Sequence, residues 1–138
     1  MKALFVDTSA WVAVVNRRDQ YHNAAAPFYR MAFTQYNQFL TTNLVAAETY
    51  ILLRLDCGLE VALGWWERVN SSLKVKVVYA DQETTWAAVE LLRRFRDQAF
   101  SLTDAVSFTV MQRAGLQEAF AFDHHFATAG FLVLPGGG

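Results

Sequence analysis

Four carboxylates in this chain, Asp7, Glu48, Asp104 and Asp123, stand in apolar company, and they are where chemistry is to be sought. Asp7 ends the run Ala3, Leu4, Phe5, Val6 in "MKALFVDTSAW". Asp is depleted in strands and seldom buried without a partner. Asp123 repeats the arrangement at the end of "EAFAFDHHF". Each could simply cap the helical stretch that follows, but after Asp7 the expected cap is Ser9. Two apolar strands that both end on Asp point to one edge of one sheet, and open α/β sheets bind ligands at the carboxyl ends of their strands.

Glu48 and Asp104 join them by different arguments. In "NLVAAETYILLRL", Leu44 lies four residues before Glu48, and Ile51 and Leu52 lie three and four after it. Those positions share one helix face, so Glu48 is expected to point with the buried stripe. A buried Glu is costly unless paired or metal-bound; the plainer alternative is an exposed Glu meeting Arg54 or solvent. Asp104 opens "SLTDAVSFTVMQRAG" and makes S-x-x-D with Ser101, a variant of the capping box. On local grounds it is a cap, and only the company of the other acids makes it a ligand candidate.

Gathered carboxylates repel one another and call for a cation. The chain has one cysteine, Cys57, and no His pair at zinc spacing, so the ligands are oxygens and the expected ion is Mg2+ or Mn2+. Such an ion can orient and activate a water and stabilise charge on a phosphate under in-line attack. Phosphodiester hydrolysis of a nucleic acid is the chemistry implied.

The elements that must position these acids alternate. Strands are expected at 2–6, 38–41, 75–79, 119–122 and 131–134, and helices at 9–16, 22–36, 43–57, 59–70, 81–97 and 102–114, with a short helical stretch after Asp123. Pro27 is tolerable only in the first turns of its helix. Strands separated by helices pair in parallel through crossovers, giving an α/β fold with a central sheet.

With 138 residues, 54% hydrophobic and 18% charged, the chain is expected to form one domain, residues 1–135, followed by a flexible glycine tail at 136–138. The apolar excess suggests a protein partner. The net charge of −1 shows no basic stripe, although metal on the acids would reverse its sign. Arg17, Arg18, Arg54, Lys74, Lys76 and Arg113 could then meet a backbone, most of them being solvated surface. A lone cysteine, a start too short for a signal peptide and no long apolar segment fit a cytoplasmic protein with no membrane partner.

Four blocks in this order resemble the PIN-domain ribonucleases, above all the VapC-type toxins of toxin–antitoxin modules: "FVDTSAWVAVVN", "TTNLVAAETYILL", "SLTDAVSFTVMQRAG" and "AFAFDHHFATAGF". The resemblance covers nearly the whole chain. It implies a three-layer α/β/α sandwich about a mainly parallel sheet, with a divalent metal held by Asp7, Glu48, Asp104 and Asp123. It implies metal-dependent RNA cleavage, a homodimer and an antitoxin that blocks the site.

Neighbouring residues take lesser roles. Ser9 could bond Asp7 or a metal water besides capping, and Thr103 could position Asp104 or substrate. His124 and His125 are adjacent and expected to point apart, in surface or supporting roles, with His125 beside Phe126. His22 belongs to a helix start. Trp65, Trp66 and the aromatics Phe28, Tyr29, Phe33, Tyr36 and Phe39 are expected in core and partner contacts rather than under bases. Rival readings are a housekeeping RNA nuclease, a phosphatase with Asp7 as nucleophile, and a non-catalytic module whose acids only cap helices. The phosphatase wants a second acid where Ser9 stands.

Overall fold

The computed structural model describes residues 2–136. The glycine tail expected at 136–138 lies mostly outside them. Five strands, β1 (Ala3–Val6), β2 (Gln38–Thr42), β3 (Val75–Val78), β4 (Glu118–Phe120) and β5 (Leu132–Leu134), form one sheet in the order β3-β2-β1-β4-β5. Every pairing is parallel. The seven helices are α1 (Thr8–Val15), α2 (His22–Gln35), α3 (Asn43–Cys57), α4 (Leu59–Ser71), α5 (Gln82–Arg94), α6 (Leu102–Ala114) and α7 (His125–Thr128).

The central strand explains the layering. Leu4, Phe5 and Val6 are wholly buried, so β1 needs cover on both faces, as parallel strands do. On one face Phe39 meets Tyr29 of α2 at 5.4 Å between ring centroids, and Phe120 meets Phe28 at 4.8 Å. Trp11 of α1 sits there between Tyr29 and Trp65 of α4, at 6.0 and 5.6 Å. On the other face Phe5 meets Phe126 of α7 at 6.0 Å, and Phe126 meets Phe108 of α6 edge-on at 5.0 Å.

The topology creates one switch point. From β1 the chain steps outward through β2 to β3, then returns across the sheet to place β4 on the other side of β1. The carboxyl ends of β1 and β4 thus lie side by side where the strand order reverses, and Asp7 N donates to Phe120 O at 3.0 Å.

Two helices have the expected bounds because their stop and start signals are unambiguous. Thr42 Oγ1 accepts from Val45 N at 3.1 Å to open α3, and Gly58 ends it at φ 94°. Ser101 opens α6 and Gly115 closes it in the left-handed region at φ 71°. Other bounds move. The cap of α1 is Asp7, not Ser9, so the helix starts at Thr8. Strand β4 ends at Phe120 rather than Phe122, because Phe122 N donates to Ser9 Oγ at 2.9 Å instead of continuing a ladder. Helix α5 stops at Arg94, three residues short of the expected 97.

The apolar excess surfaces on α3 and α4. Ile51, Leu52, Leu55, Leu59, Val61 and Leu63 are all exposed, and Ala47, Tyr50, Ile51, Leu63 and Trp66 line a shallow apolar groove between the two helices.

Phe126, fully buried between Phe5 and Phe108, joins α7 to the sheet. Phe126→Ala is expected to cost roughly 3–5 kcal/mol, read as a lower midpoint in urea unfolding.

Candidate active site

Asp7 projects from the end of β1 on the Phe5 side of the sheet and is only 4% exposed. Its Oδ2 accepts from Ser9 N at 3.3 Å and from Ser9 Oγ at 2.8 Å. Ser9 Oγ in turn accepts from Phe122 N at 2.9 Å. One hydroxyl therefore ties the carboxylate ending β1 to the segment that carries Asp123. Burial pushes the Asp7 carboxyl up to about 6; the bonds to Ser9 oppose this, and the negative charge of Asp104 adds to it.

Asp104 reaches the same place from α6. Its Oδ2 accepts from Ser101 N and its backbone N donates to Ser101 Oγ, both at 3.0 Å, a reciprocal capping box. The same Oδ2 lies 2.9 Å from His125 Nδ1. Asp123 comes from the turn after β4, where its Oδ1 accepts from His125 N at 2.9 Å and lies 3.3 Å from His125 Nδ1. Asp104 and Asp123 thus stand on either side of the His125 ring, and Asp7 lies near enough for the charge of Asp104 to act on it. Among the described residues, the acids and histidines whose ligating atoms all lie within 4.8 Å of one another are Asp123, His124 and His125.

Glu48 is placed differently. It is exposed, and the buried face of α3 is Val45, Ala46, Thr49 and Leu53. Of the apolar stripe Leu44, Ile51 and Leu52, only Leu44 packs, half-buried, against the core, and Ile51 and Leu52 lie at the surface. Ile51 and Leu52 are 55% and 44% exposed, so the expected cost of burying Glu48 does not arise. Among the described residues Glu48 makes no ion pair with Arg54.

Thr103 is half-buried, and its carbonyl accepts from Ser107 Oγ at 2.8 Å. Beside Asp7, Thr8 Oγ1 is buried with no hydrogen-bond partner. The two histidines do not point apart: their ring centroids are 4.4 Å from each other. The side chain of His124 is 83% exposed, while that of His125 is 18% exposed and turned inward between two acids. The signal for this was local. An Asp after a strand takes the backbone N–H two residues on, and that turn brings residue 125 back beside the Asp123 carboxylate.

Other candidates lie elsewhere. His22 starts α2 with Nδ1 2.8 Å from Ala13 O. Trp65 is buried against Trp11, and Trp66 meets Tyr50. Of the candidate cations, Arg113 is paired with Glu83 at 2.7 Å, and Arg18 and Lys74 bond the carbonyls of Asp56 and Phe33.

The donor set fits a hard divalent cation. Carboxylates from three elements face the switch point, and among the described residues Asp7, the most buried of them, forms no ion pair with a basic side chain.

An all-parallel α/β sandwich with acids at its switch point is an architecture that several families share, and the PIN-domain family model matches residues 4–132; the chain belongs to the PIN-domain family. Among curated proteins it is similar to the 23S rRNA-specific endonuclease VapC20 of Mycobacterium tuberculosis. Identity is 37% over 131 residues, covering 94% of this chain and 95% of the relative. The crystal structure of that Mycobacterium tuberculosis protein, described as a Sarcin-Ricin loop cleaving toxin, superposes with a TM-score of 0.86 at 34% identity, over 94% of this chain and 96% of the other. FitAcB from Neisseria gonorrhoeae shares the fold, with a TM-score of 0.65 at 12% identity over 94% and 95% of the two chains.

Asp7 gives a pH signature. A carboxyl raised from 3.8 to about 6 binds its proton more tightly folded than unfolded. Its stabilising contribution is complete below about 3.8 and is lost as pH rises through about 6. Two units correspond to about 3 kcal/mol. In metal-free buffer at pH 8, Asp7→Asn is expected to be more stable than wild type in urea unfolding by up to that amount. The gap should close by pH 4. Equal stability at pH 8 would show that the buried charge is not costly.

Proposed function

We propose that this PIN-domain chain is a metal-dependent endoribonuclease and the toxin of a toxin–antitoxin module. The observation that carries the reading is the placement of Asp104 and Asp123 on either side of His125, with Asp7 buried under the charge of Asp104, in a chain 37% identical to a 23S rRNA-specific endonuclease.

Asp7, Asp104 and Asp123 would hold Mg2+ or Mn2+. Glu48 is the fourth ligand in this reading. It lies in the second turn of α3, the helix that leaves the carboxyl end of β2 and packs on α1 and α6. Being exposed, it would hold the ion as a side chain open to solvent. The bound ion supplies water activation and charge stabilisation on the phosphate. The chain's own residues do the positioning. Ser9 holds the Asp7 carboxylate, the capping box holds Asp104, and the turn at His125 holds Asp123. Thr103, next in sequence to Asp104, would position that acid or the substrate.

The substrate is RNA, with ribosomal RNA the first to test. The exposed apolar helices α3 and α4 support protein partners, a second copy of the chain and an antitoxin. Residues 1–135 act as one nuclease domain. No helix among the described residues is long and apolar enough to cross a membrane, and a cytoplasmic site of action fits an RNA target.

The deciding experiment is cleavage of purified ribosomes and total RNA, with mapped ends, in Mg2+, Mn2+ and chelator. Specific metal-dependent cleavage is expected, with Asp7→Asn and Asp104→Asn each lowering the rate by about 100-fold or more. No cleavage by wild type in either metal would end the reading. Glu48→Gln is expected to weaken Mn2+ binding measured calorimetrically without RNA; unchanged affinity would remove Glu48 from the ligand set.

A further inference from the structure

We propose that His125 is the positioning residue of the acid cluster: through Nδ1 it sets the spacing of the Asp104 and Asp123 carboxylates for the divalent cation. The proposal rests on the metal site just described and assigns a role within it that the acids alone cannot fill.

Asp104 and Asp123 have no secondary structure in common. Asp104 stands in the first turn of α6, and Asp123 stands in the turn between β4 and α7. Each is fixed locally, Asp104 by Ser101 N at 3.0 Å and Asp123 by His125 N at 2.9 Å. Neither bond sets the distance between the two carboxylates, and like charges left to themselves move apart. His125 Nδ1 is the atom that spans them, 2.9 Å from Asp104 Oδ2 and 3.3 Å from Asp123 Oδ1. Both acceptors are carboxylate oxygens, so Nδ1 carries the proton and is the donor.

The ring is held where it can do this. Phe100 meets it edge-on at 5.4 Å between centroids. Its own carbonyl accepts from Ala129 N at 2.9 Å, and its neighbour Phe126 is anchored in the core. A ring so enclosed keeps few rotamers and loses little entropy in making the two contacts. His124, next to it and exposed, provides the contrast: its Nδ1 comes no closer than 3.9 Å to Asp123. Groups that bond ligating side chains orient them, and removing one typically costs 10–100-fold in metal affinity.

The test uses Mn2+ binding by isothermal titration calorimetry on the full chain, without RNA, beside urea unfolding in chelator. His125→Leu keeps an apolar body against Phe100 and removes the donor. It is expected to weaken Mn2+ binding by about 10-fold or more while unfolding as wild type does. His125→Asn places an amide nitrogen where Nδ1 stands and should restore affinity to within a few-fold. His125→Gln places its amide nearer the Nε2 position and should not. If the leucine variant fails to fold, the asparagine and glutamine pair carries the test. Wild-type affinity in the leucine variant, or equal affinity in the asparagine and glutamine variants, overturns the proposal and leaves the metal site standing. No Mn2+ binding by wild type overturns both.

Discussion

The mutual repulsion of carboxylates brought together at one sheet edge is the constraint on which the rest of this structure depends. Acids from three stretches of chain cannot be brought to one sheet edge without support. Two helix N-termini supply part of it. Asp7 caps α1 and Asp104 lies in the first turn of α6, so each carboxylate meets unpaired backbone N–H groups and the positive end of a helix. Asp7 nevertheless stays up at about 6, because burial outweighs what the cap returns. The site is thus left short of positive charge, and a divalent cation is what its donor chemistry admits.

The fold contributes by making the meeting point rigid. A parallel sheet buried on both faces needs helices on each, and the return crossing that puts β4 beside β1 brings two strand ends together. Ser9 then links them, donating to Asp7 and accepting from Phe122. This bond explains why β4 stops early: the backbone N–H that would continue a ladder serves the site instead. The same economy holds at Asp104, whose one oxygen closes a capping box and meets His125.

Much of this was legible in the residues. Alternating strands and helices led to the α/β sheet, and the Gly58, Ser101 and Gly115 signals set the end of α3 and both ends of α6, because those signals act through local geometry alone. The cap of α1 was misassigned because Asp and Ser two residues apart are equally good caps, and only the tertiary bond from Phe122 N to Ser9 Oγ settles which is used. Glu48 shows a deeper limit. Periodicity identifies an apolar face but not what covers it. The stripe Leu44, Ile51, Leu52 reads as core, yet Ile51 and Leu52 are surface, since α3 buries its smaller Val45, Ala46 and Thr49 side instead. His125 was discounted on adjacency, which constrains side chains inside a regular helix but not across a turn where an Asp captures the next backbone N–H.

The corrections at Asp7 and Glu48 change the argument for a metal site without removing it. If burial of all four acids had been the reason for a cation, the exposure of Glu48 would weaken the case. The reason is now narrower and physically firmer. Asp7 is buried under the charge of another acid, with Thr8 Oγ1 unpartnered next to it, and among the described residues no basic side chain forms an ion pair with it. A carboxylate that served only as a helix cap would gain by facing solvent, as the exposed Asp81 does at the start of α5. Asp81 is held below the ordinary value by its cap bonds, whereas Asp7, with comparable cap bonds, is raised. The difference between the two caps is burial at the switch point, and capping a helix does not require it.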